Sequence, residues 1–252
     1  MRVTLFDTPV DILTMEETVR RAVDAMHSRT RCQHVALNVA KLVNARSDAE
    51  LDRDVRDSDI VGIDGMGIAF ALKAMGHAVP ERVAGVDLFE ELIRVCAKQG
   101  LKPYLLGAKQ EILDRTMAVL KERHPTLQFA GAHHGYFRPD EDGRIAATVR
   151  ASGADCLFIA MPTPRKERFM RAYRDAMGVP FLMGVGGTFD VVAGFVDRAP
   201  AIWQKLGLEW AYRMMQEPRR MVWRYARTNT IFLGLMLPAL LRRLVGLQSR
   251  TA

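Results

Sequence analysis

Apolar and polar positions alternate along most of this chain in a regular order of strand and helix patterns. Short apolar runs typical of buried strands are each followed by a segment with the period of about 3.6 residues that marks a helix. This rhythm predicts right-handed βαβ crossovers and a mainly parallel sheet covered by helices, a Rossmann-like α/β fold. From residue 87 the predicted elements are helix 87–99, strand 102–106, helix 109–123, strand 127–131, helix 140–151, strand 155–160, helix 164–177 and strand 180–185.

The N-terminal part adds a hairpin and two further strands to this sheet. Residues 2–13 predict a β-hairpin whose turn is Asp7-Thr8-Pro9. Thr14 and Glu17 have the spacing of a capping box, which predicts that a helix begins there. The other elements before residue 76 are strand 33–37, helix 48–57, strand 59–63 and helix 68–75.

The C-terminal section has a different pattern. Residues 200–227 mix tryptophans with arginines at helical spacing, and Pro218 predicts the start of a new helix. The apolar run 230–241 has about 12 residues, fewer than the roughly 20 that a helix needs to span a bilayer. The sequence therefore predicts two parts, an α/β domain over residues 1–199 and a basic amphipathic helical appendage over residues 200–252.

The net charge of +7 is unevenly distributed. From Arg198 onward lie 10 of the 36 Lys and Arg residues but only 2 of the 29 Asp and Glu residues, so this section carries +8 and the first 197 residues carry −1. Such an asymmetry favours a polyanionic partner. Tryptophans beside arginines suit a helix in the headgroup region of a membrane, so we expect an anionic membrane surface. The alternative is a basic helix that packs on its own domain or in an oligomer interface.

Other compositional features narrow the class of protein. The cysteines, Cys32, Cys96 and Cys156, are odd in number and lie in apolar segments, as reduced core residues of a cytoplasmic protein do. Acid and proline occur too early for a signal peptide. The basic segment has no identifiable recognition fold for nucleic acid, so no nucleic-acid partner is expected.

The stretch Gly62-Ile63-Asp64-Gly65-Met66-Gly67 follows an apolar strand pattern and precedes a helical one. Asp64 should therefore lie at the carboxyl end of a strand, where open α/β sheets bind ligands. The flanking glycines allow a tight turn or a close approach of a ligand. A carboxylate in this place can act as a general base. The alternative is that Asp64 caps the following helix.

Glycines also follow two later strands. The turn at Gly186 and Gly187 leads into a helix predicted to start at Thr188, and free amides at such a start attract phosphate. The turn at Gly107 repeats this pattern more weakly. Phe189 stands where a dinucleotide-binding fingerprint requires its last glycine, so that fingerprint is excluded. The alternative is that these glycines serve helix–strand packing.

The segment Met161-Pro162-Thr163-Pro164-Arg165-Lys166-Glu167 follows another predicted strand at the same sheet edge as Asp64. Lys166 at a helix start opposes the helix dipole, which an anionic ligand nearby would explain. The alternative is that Lys166 and Glu167 are solvent-exposed charges.

Two patterns that could bind metal are interpreted otherwise. Asp57-Ser58-Asp59 matches a D-x-D motif, but it precedes its strand and so should lie at the opposite edge from Asp64. His133 and His134 are adjacent on an extended segment, so their side chains should diverge and not share an ion. No metal site is predicted.

Six ordered motifs resemble one family. Over about residues 5–227 the chain resembles the WecG/TagA/CpsF glycosyltransferases, glycosyltransferase family 26. The motifs are Asp64-Gly65-Met66-Gly67, Glu81-Arg82-Val83-Ala84-Gly85-Val86-Asp87-Leu88, His134-Gly135-Tyr136-Phe137, Pro162-Thr163-Pro164-Arg165-Lys166-Glu167, Gly184-Val185-Gly186-Gly187-Thr188-Phe189-Asp190, and Arg198-Ala199-Pro200 through Leu208-Glu209-Trp210.

The resemblance implies an inverting transfer of a hexose or N-acetylhexosamine, such as glucose or N-acetylmannosamine. The implied donor is a UDP-sugar, and the acceptor is a sugar on undecaprenyl diphosphate. It further implies bacterial surface-polysaccharide or teichoic-acid synthesis by a peripheral protein at the cytoplasmic face of the inner (plasma) membrane. The implied reaction needs no metal or other cofactor, with the UDP-sugar as co-substrate.

The resemblance also assigns roles by motif position. Asp64 matches the base. The implied substrate residues are Asn38, Arg82, Lys166 and Glu167; those implied for the nucleotide and its phosphates are Gly107, Gly186, Gly187, Thr188 and Asp190; those implied for the lipid diphosphate and membrane are Arg213, Arg219, Arg220 and Arg224.

The chain departs from the family pattern at two positions. Ala36 stands where some members have threonine, and Lys166 replaces the usual glutamine. These departures leave the donor sugar open. The acceptor sugar, the linkage and the oligomeric state are open as well, and a homo-oligomer is one alternative for the last. The alternative function is a non-catalytic nucleotide-binding or membrane-scaffolding protein of the same fold.

Overall fold

A mostly parallel sheet of eight strands forms the centre of the protein. The computed structural model describes residues 1–216 and 218–244. The strand order is β1-β2-β4-β3-β8-β7-β5-β6; β1 and β2 pair antiparallel, and the other pairs are parallel. The strands are β1 Arg2–Leu5, β2 Thr8–Asp11, β3 Cys32–Leu37, β4 Ile60–Ile63, β5 Pro103–Gly107, β6 Gly131–His133, β7 Cys156–Ala160 and β8 Phe181–Gly184.

Helices cover both faces of this sheet, which confirms the predicted α/β class. A short 3₁₀ turn at Pro139–Glu141 precedes one of them. The helices are α1 Met15–Ser28, α2 Val39–Ala45, α3 Ala49–Arg56, α4 Met66–Ala74, α5 Gly85–Gln99, α6 Gln110–Arg123, α7 Asp142–Ala151, α8 Arg165–Met177, α9 Thr188–Val192, α10 Ala201–Lys205, α11 Glu209–Gln216 and α12 Pro218–Leu244.

Local signals in the sequence set several of these boundaries. The capping box is confirmed: the Thr14 hydroxyl accepts a hydrogen bond from the Glu17 amide at 3.1 Å, and the Glu17 carboxylate accepts one from the Thr14 amide at 2.9 Å. The predicted hairpin and the helix start at Pro218 are also confirmed. The hairpin turns at Phe6 and Asp7, however, because Thr8 and Pro9 of the predicted turn already pair with β1 as part of β2. Helix α2 was not predicted, because its 7 residues are too few for a clear period.

The predicted strand over 127–131 is wrong in most of its length. Pairing with β5 begins only where the Ala130 amide donates to the Pro103 carbonyl, and strand β6 starts at Gly131. Before that point the Leu127 carbonyl accepts from the Lys121 ammonium instead. The apolar residues at this position therefore fill the core from an irregular segment.

Two hydrophobic clusters lie on the two faces of the sheet. One packs the sheet against α2, α3, α4, α7, α8 and α12, and the other packs it against α1, α5, α6 and α9. All three cysteines are free and buried, as predicted. Burial raises the pKa of the Cys156 thiol well above its usual value, and the neighbouring Cys96 sulfur, 3.7 Å away, acts in the same direction.

Helix α12 packs its own stripe of residues into the first cluster. Phe232 and Met236 are buried there, and the Phe232 ring meets the Phe6 ring edge-on at 6.1 Å between centroids. Leu233 and Leu237, one position later, and Leu241, one position after the half-buried Leu240, are 65%, 61% and 52% exposed because one helical residue turns the side chain by about 100°. Within the described chain, no helix has the combined length and apolar character needed to cross a membrane.

The segment before α12 is attached to the loops at one end of β4. Gly207, at φ +72°, packs against Met66, where a Cβ would approach the methionine to 2.8 Å. The Glu209 carboxylate pairs with the Arg82 guanidinium, and Arg198 pairs with Asp87. The division into parts at residue 199 stays a prediction.

His34 is a buried base without a partner. Its side chain is 1% exposed, and within the described residues neither ring nitrogen forms a hydrogen bond. The ring lies on Gly62, where a Cβ would come within 2.6 Å of Nε2. Burial lowers the pKa of His34 to about 4, and the positive charge of Lys41 acts in the same direction.

We expect the stability to fall in acid because of His34. Between about pH 6.5 and 4 the unfolded chain binds a proton at this histidine that the folded chain does not, so the free energy of unfolding falls as the pH falls. The loss attributable to His34 is at most about 3 kcal/mol. Urea unfolding at about pH 7 and about pH 4.5 should show a smaller loss in His34→Leu than in the wild type. His27→Gln, at an exposed position, is the control; equal losses in all three proteins would contradict this account.

The Arg82–Glu209 pair should stabilise the attachment of the C-terminal segment. The two side chains are only 13% and 30% exposed, so Glu209→Gln leaves a mostly buried guanidinium without its counter-charge. We expect a loss of about 2 kcal/mol in the free energy of unfolding. Glu91→Gln, which breaks a more exposed pair with Arg94, should cost no more than about 0.5 kcal/mol. Equal losses in the two variants would show that the Arg82 pair has no special role.

Candidate functional site

Asp64 and Asn38 are brought together by the parallel pairing of β3 and β4. Leu37 lies opposite Ile63 in the register, so the next residue of each strand extends from the same edge of the sheet. The Asp64 amide donates to the Leu37 carbonyl at 3.0 Å, which continues the pairing past the strand end. The Asn38 side-chain nitrogen lies 3.5 Å from Asp64 Oδ2. We call this edge, where the parallel strands end, the carboxyl edge.

The Asp64 carboxylate is half-buried and fixed at one oxygen. Oδ1 accepts a hydrogen bond from the amide of Gly85, the first residue of α5, at 2.8 Å. The alternative that Asp64 caps the following helix is wrong, because Gly65 is the N-cap of α4 and no side chain caps that helix. Asp64 thus binds the first amide of α5, a helix that begins 21 positions later in the sequence. A Cβ at Gly85 would lie 3.4 Å from Oδ1, an ordinary van der Waals contact, so this bond depends on the Gly85 amide and not on the absence of a side chain.

Arg82 lies beside Asp64 but does not pair with its carboxylate. Its guanidinium donates to the Asp64 main-chain carbonyl at 3.3 Å and pairs with the Glu209 carboxylate. Burial lowers the pKa of Arg82, but the bond to Glu209 and the nearby carboxylates outweigh burial and raise it. Arg82 is therefore a cation held next to the base candidate by a residue far along the chain.

Lys166 and Glu167 are buried, so the alternative of solvent-exposed charge is wrong. They are 5% and 0% exposed, and Lys41 beside them is 6% exposed. Glu167 Oε1 lies 2.9 Å from the Lys41 ammonium and 3.1 Å from the Lys166 ammonium. It also accepts a hydrogen bond from the Thr163 hydroxyl at 3.1 Å. We call the charged set Lys41–Glu167–Lys166 the buried ion triad.

The triad shifts the pKa of two of its members. Burial raises the pKa of Glu167, but the two lysines outweigh burial and lower it to about 2. Burial and the charge of Lys41 lower the pKa of Lys166 to about 8, against the attraction of Glu167 and Asp64. Sequence reasoning did not identify Lys41. The sequence feature that could have identified it is a lysine inside the apolar stretch of α2, three residues after Asn38.

The glycine turns after β5 and β8 lie at the same carboxyl edge. Gly107 has φ +122° and packs on the Ala160 main chain, where a Cβ would come within 2.5 Å of the carbonyl oxygen. Gly186 has φ +55°, and Gly187 is the N-cap of α9, which has 5 residues. Thr188 is buried, and its hydroxyl donates to the Val185 carbonyl at 2.7 Å. Gly107, Gly186 and Gly187 thus also serve local geometry.

The remaining candidates divide into described and undescribed ones. Asp190 is half-buried on α9. The backbone of α11 and α12 is described, but the side chains of Arg213, Arg219, Arg220 and Arg224 lie outside the described part of the structure.

An open groove of about 850 Å³ lies between α1 and α5, lined by residues that include Met15, Val19 and Val95 but not Asp64.

The histidine pair does not diverge as expected. Strand β6 ends at His133, so the rings of His133 and His134 lie 4.5 Å apart instead of on opposite faces. His133 Nδ1 forms a hydrogen bond with the His134 carbonyl, and the Tyr136 amide donates to His134 Nδ1.

Asp59 lies at the opposite end of β4 from Asp64, as predicted, and its carboxylate accepts a hydrogen bond from the Gln33 amide. Among the described residues, no group of three or more His, Cys, Asp or Glu could hold a metal ion.

Comparison with protein families agrees with the order of motifs along the chain. A family model described as Glycosyl transferase WecG/TagA/CpsF family matches residues 3–246, nearly the whole length. The match includes β3, β4 and the loops that carry Asn38, Asp64 and Arg82. It also includes the C-terminal helices. The chain belongs to the WecG/TagA/CpsF family of glycosyltransferases.

Proposed function

We propose that this glycosyltransferase moves a hexose or N-acetylhexosamine, such as glucose or N-acetylmannosamine, from a UDP-sugar to a lipid-linked acceptor. The acceptor is a sugar on undecaprenyl diphosphate at the cytoplasmic face of the inner membrane, in bacterial surface-polysaccharide synthesis. The observation that carries the proposal is the half-buried Asp64 carboxylate at the carboxyl edge, next to Asn38 and Arg82.

Asp64 acts as the general base of an inverting displacement. Its carboxylate removes the proton from the acceptor hydroxyl while the hydroxyl oxygen attacks the anomeric carbon of the donor sugar. The bond from that carbon to the UDP oxygen breaks on the opposite face, and UDP leaves with the electron pair. One carboxylate is sufficient because no covalent sugar–enzyme intermediate is needed. The Gly85 amide on Oδ1 supports this role, because it orients the carboxylate so that Oδ2, beside the Asn38 amide, can take the proton.

The departing diphosphate needs positive or amide partners in a metal-independent reaction. The Arg82 guanidinium contacts the main-chain carbonyl of Asp64, and its pair with Glu209 holds it there. The glycine turns at Gly107, Gly186 and Gly187 are the candidate phosphate contacts, and Asp190 is a candidate contact of the nucleoside. Thr188 shapes this turn, because its hydroxyl and its amide both donate to the Val185 carbonyl.

The C-terminal helices bind the membrane in this proposal. The exposed stripe Leu233, Leu237 and Leu241 on α12 and the 77% exposed Trp223 offer an apolar surface on a basic segment. Arg213, Arg219, Arg220 and Arg224 are the candidate partners of the acceptor diphosphate and of anionic lipids. A lipid-linked substrate accounts for an exposed apolar stripe better than a soluble substrate would.

The alternative is a non-catalytic nucleotide-binding or membrane-scaffolding protein of this fold. Release of UDP from a mixture of UDP-sugar and lipid-diphosphate acceptor separates the two functions. UDP-glucose and UDP-N-acetylmannosamine are the first donors to test.

The role of Asp64 as base is tested by Asp64→Asn. We expect UDP release to fall about 10³-fold, because the amide cannot accept the proton, while the Kd for UDP changes less than about threefold. Asp59→Asn, at the other end of the same strand, is the matched control and should retain activity. Full activity in Asp64→Asn would remove this residue as the base.

The membrane contact is tested by Leu233→Ser combined with Leu237→Ser. Both side chains are exposed, so we expect unchanged thermal unfolding but at least about tenfold weaker binding to anionic phosphatidylglycerol vesicles in sedimentation assays. Neutral phosphatidylcholine vesicles, which should bind the wild type weakly, control for the electrostatic part. Vesicle binding equal to that of the wild type would exclude the exposed stripe as the contact.

A further inference from the structure

The buried ion triad holds one more positive than negative charge. Lys41 and Lys166 share one carboxylate oxygen of Glu167, and all three side chains are at least nine-tenths buried. The other oxygen, Glu167 Oε2, has no hydrogen-bond partner among the described residues. Glu167 also faces the carboxylate of Asp54 on α3, which is paired with Arg171. The positive charge of the triad therefore faces the Asp64 carboxylate of the candidate site.

Such an arrangement is a poor way to stabilise a fold. Removing ionised groups from water is unfavourable, and buried ion pairs often stabilise a protein less than apolar residues of the same volume would. A second lysine on one carboxylate adds a further desolvation penalty. The downward shift in the pKa of Lys166 reflects this penalty. A function at the neighbouring site would explain why the surplus charge is tolerated.

The triad is linked to Asp64 by two routes. The main-chain amide of Lys41 donates to Asn38 Oδ1 at 3.0 Å, which is the N-cap bond of α2, and the side-chain nitrogen of Asn38 lies toward Asp64 Oδ2. On the other side, the aliphatic part of Lys166 packs on Gly184, the last residue of β8, where a Cβ would meet it at 3.0 Å. Lys166 is close enough to Asp64 for the carboxylate to influence its charge. The triad thus lies directly beneath the carboxyl edge.

We propose that Glu167 is a positioning residue of this site: with Lys41 as its second partner, it holds Lys166 as a buried cation beneath the carboxyl edge, and the charge of Lys166 attracts the diphosphate of the sugar nucleotide. The inference rests on the proposed function, because it takes a nucleoside diphosphate as the ligand. Lys166 acts through its field and not through a required contact. The charged groups that face it are Lys41 of α2, Glu167 of its own helix and Asp64 after β4.

The test is the pH dependence of UDP binding, measured by titration calorimetry without any acceptor. Above about pH 7.5 the phosphates of UDP are fully ionised and below about pH 8.5 its uracil ring keeps its proton, so a change in affinity between these limits reports on the protein. We expect the Kd of the wild type to rise about threefold over this interval, as Lys166 loses its proton. Lys166→Met should already bind about tenfold more weakly at pH 7.5 and show no further change. Lys102→Met, exposed at the amino end of β5, is the matched control and should behave as the wild type.

Lys41→Met tests the charge coupling within the triad at a residue that need not contact UDP. Without the repulsion of Lys41, Lys166 keeps its proton to higher pH, so the midpoint of the affinity change should move upward. Lys166→Met should also unfold at a temperature no lower than the wild type, because it removes the surplus buried charge.

Three outcomes would overturn the inference. They are a Kd for UDP that does not vary with pH in the wild type, an unchanged midpoint in Lys41→Met, and a Tm that falls in parallel with UDP affinity in Lys166→Met. The last outcome would assign the triad a purely structural role. Absence of any UDP binding by the wild type would instead contradict the proposed function itself.

Discussion

The parallel register of β3 and β4 is the constraint on which the site depends. Because Leu37 lies opposite Ile63, Asn38 and Asp64 leave the sheet side by side. A slip of β4 by one residue would turn Asp64 away from Asn38 and reverse the two faces of β4. Gly65 then permits the close packing: a Cβ on Gly65 would lie 3.2 Å from the Asn38 Cβ. The position of the candidate base therefore depends on strand pairing together with the absence of a side chain at Gly65.

The residues around Asp64 also show where the fold accepts unfavourable interactions. The Arg82 guanidinium is held by Glu209, and Lys166 is held by Glu167 within a triad that includes Lys41. These contacts place cations beside the carboxylate without neutralising it directly. Each cation is mostly removed from water, which lowers stability but strengthens its field in the cleft. Such concentration of buried charge is more typical of a functional site than of a structural core.

The sequence predicted those features that depend on local patterns. The alternation of apolar strands and helices gave the sheet, Thr14 gave a helix start, and the apolar run after residue 230 indicated a helix that does not span a bilayer. Asp64 was placed at a strand end because the strand pattern stops at Ile63. The motif order pointed to the family, which the match over residues 3–246 shows.

The features that the sequence did not predict depend on distant contacts. Arg82 and Glu209 are 127 positions apart, so no local pattern pairs them. Lys41 was overlooked because a lysine on a short helix is usually exposed, and its burial arises only when α8 supplies Glu167. The end of β6 at His133, before His134, likewise brings the two histidine rings together. Propensity cannot reveal such contacts, because they form when elements pack.

Hydrogen–deuterium exchange in the presence of UDP tests the central claim most directly. If the carboxyl edge binds the donor, UDP should protect amides in the peptides that cover residues 64–67 and 184–188, and the helices lining the α1–α5 groove should exchange as before. Protection confined to that groove, or no protection at a saturating UDP concentration, would contradict the account.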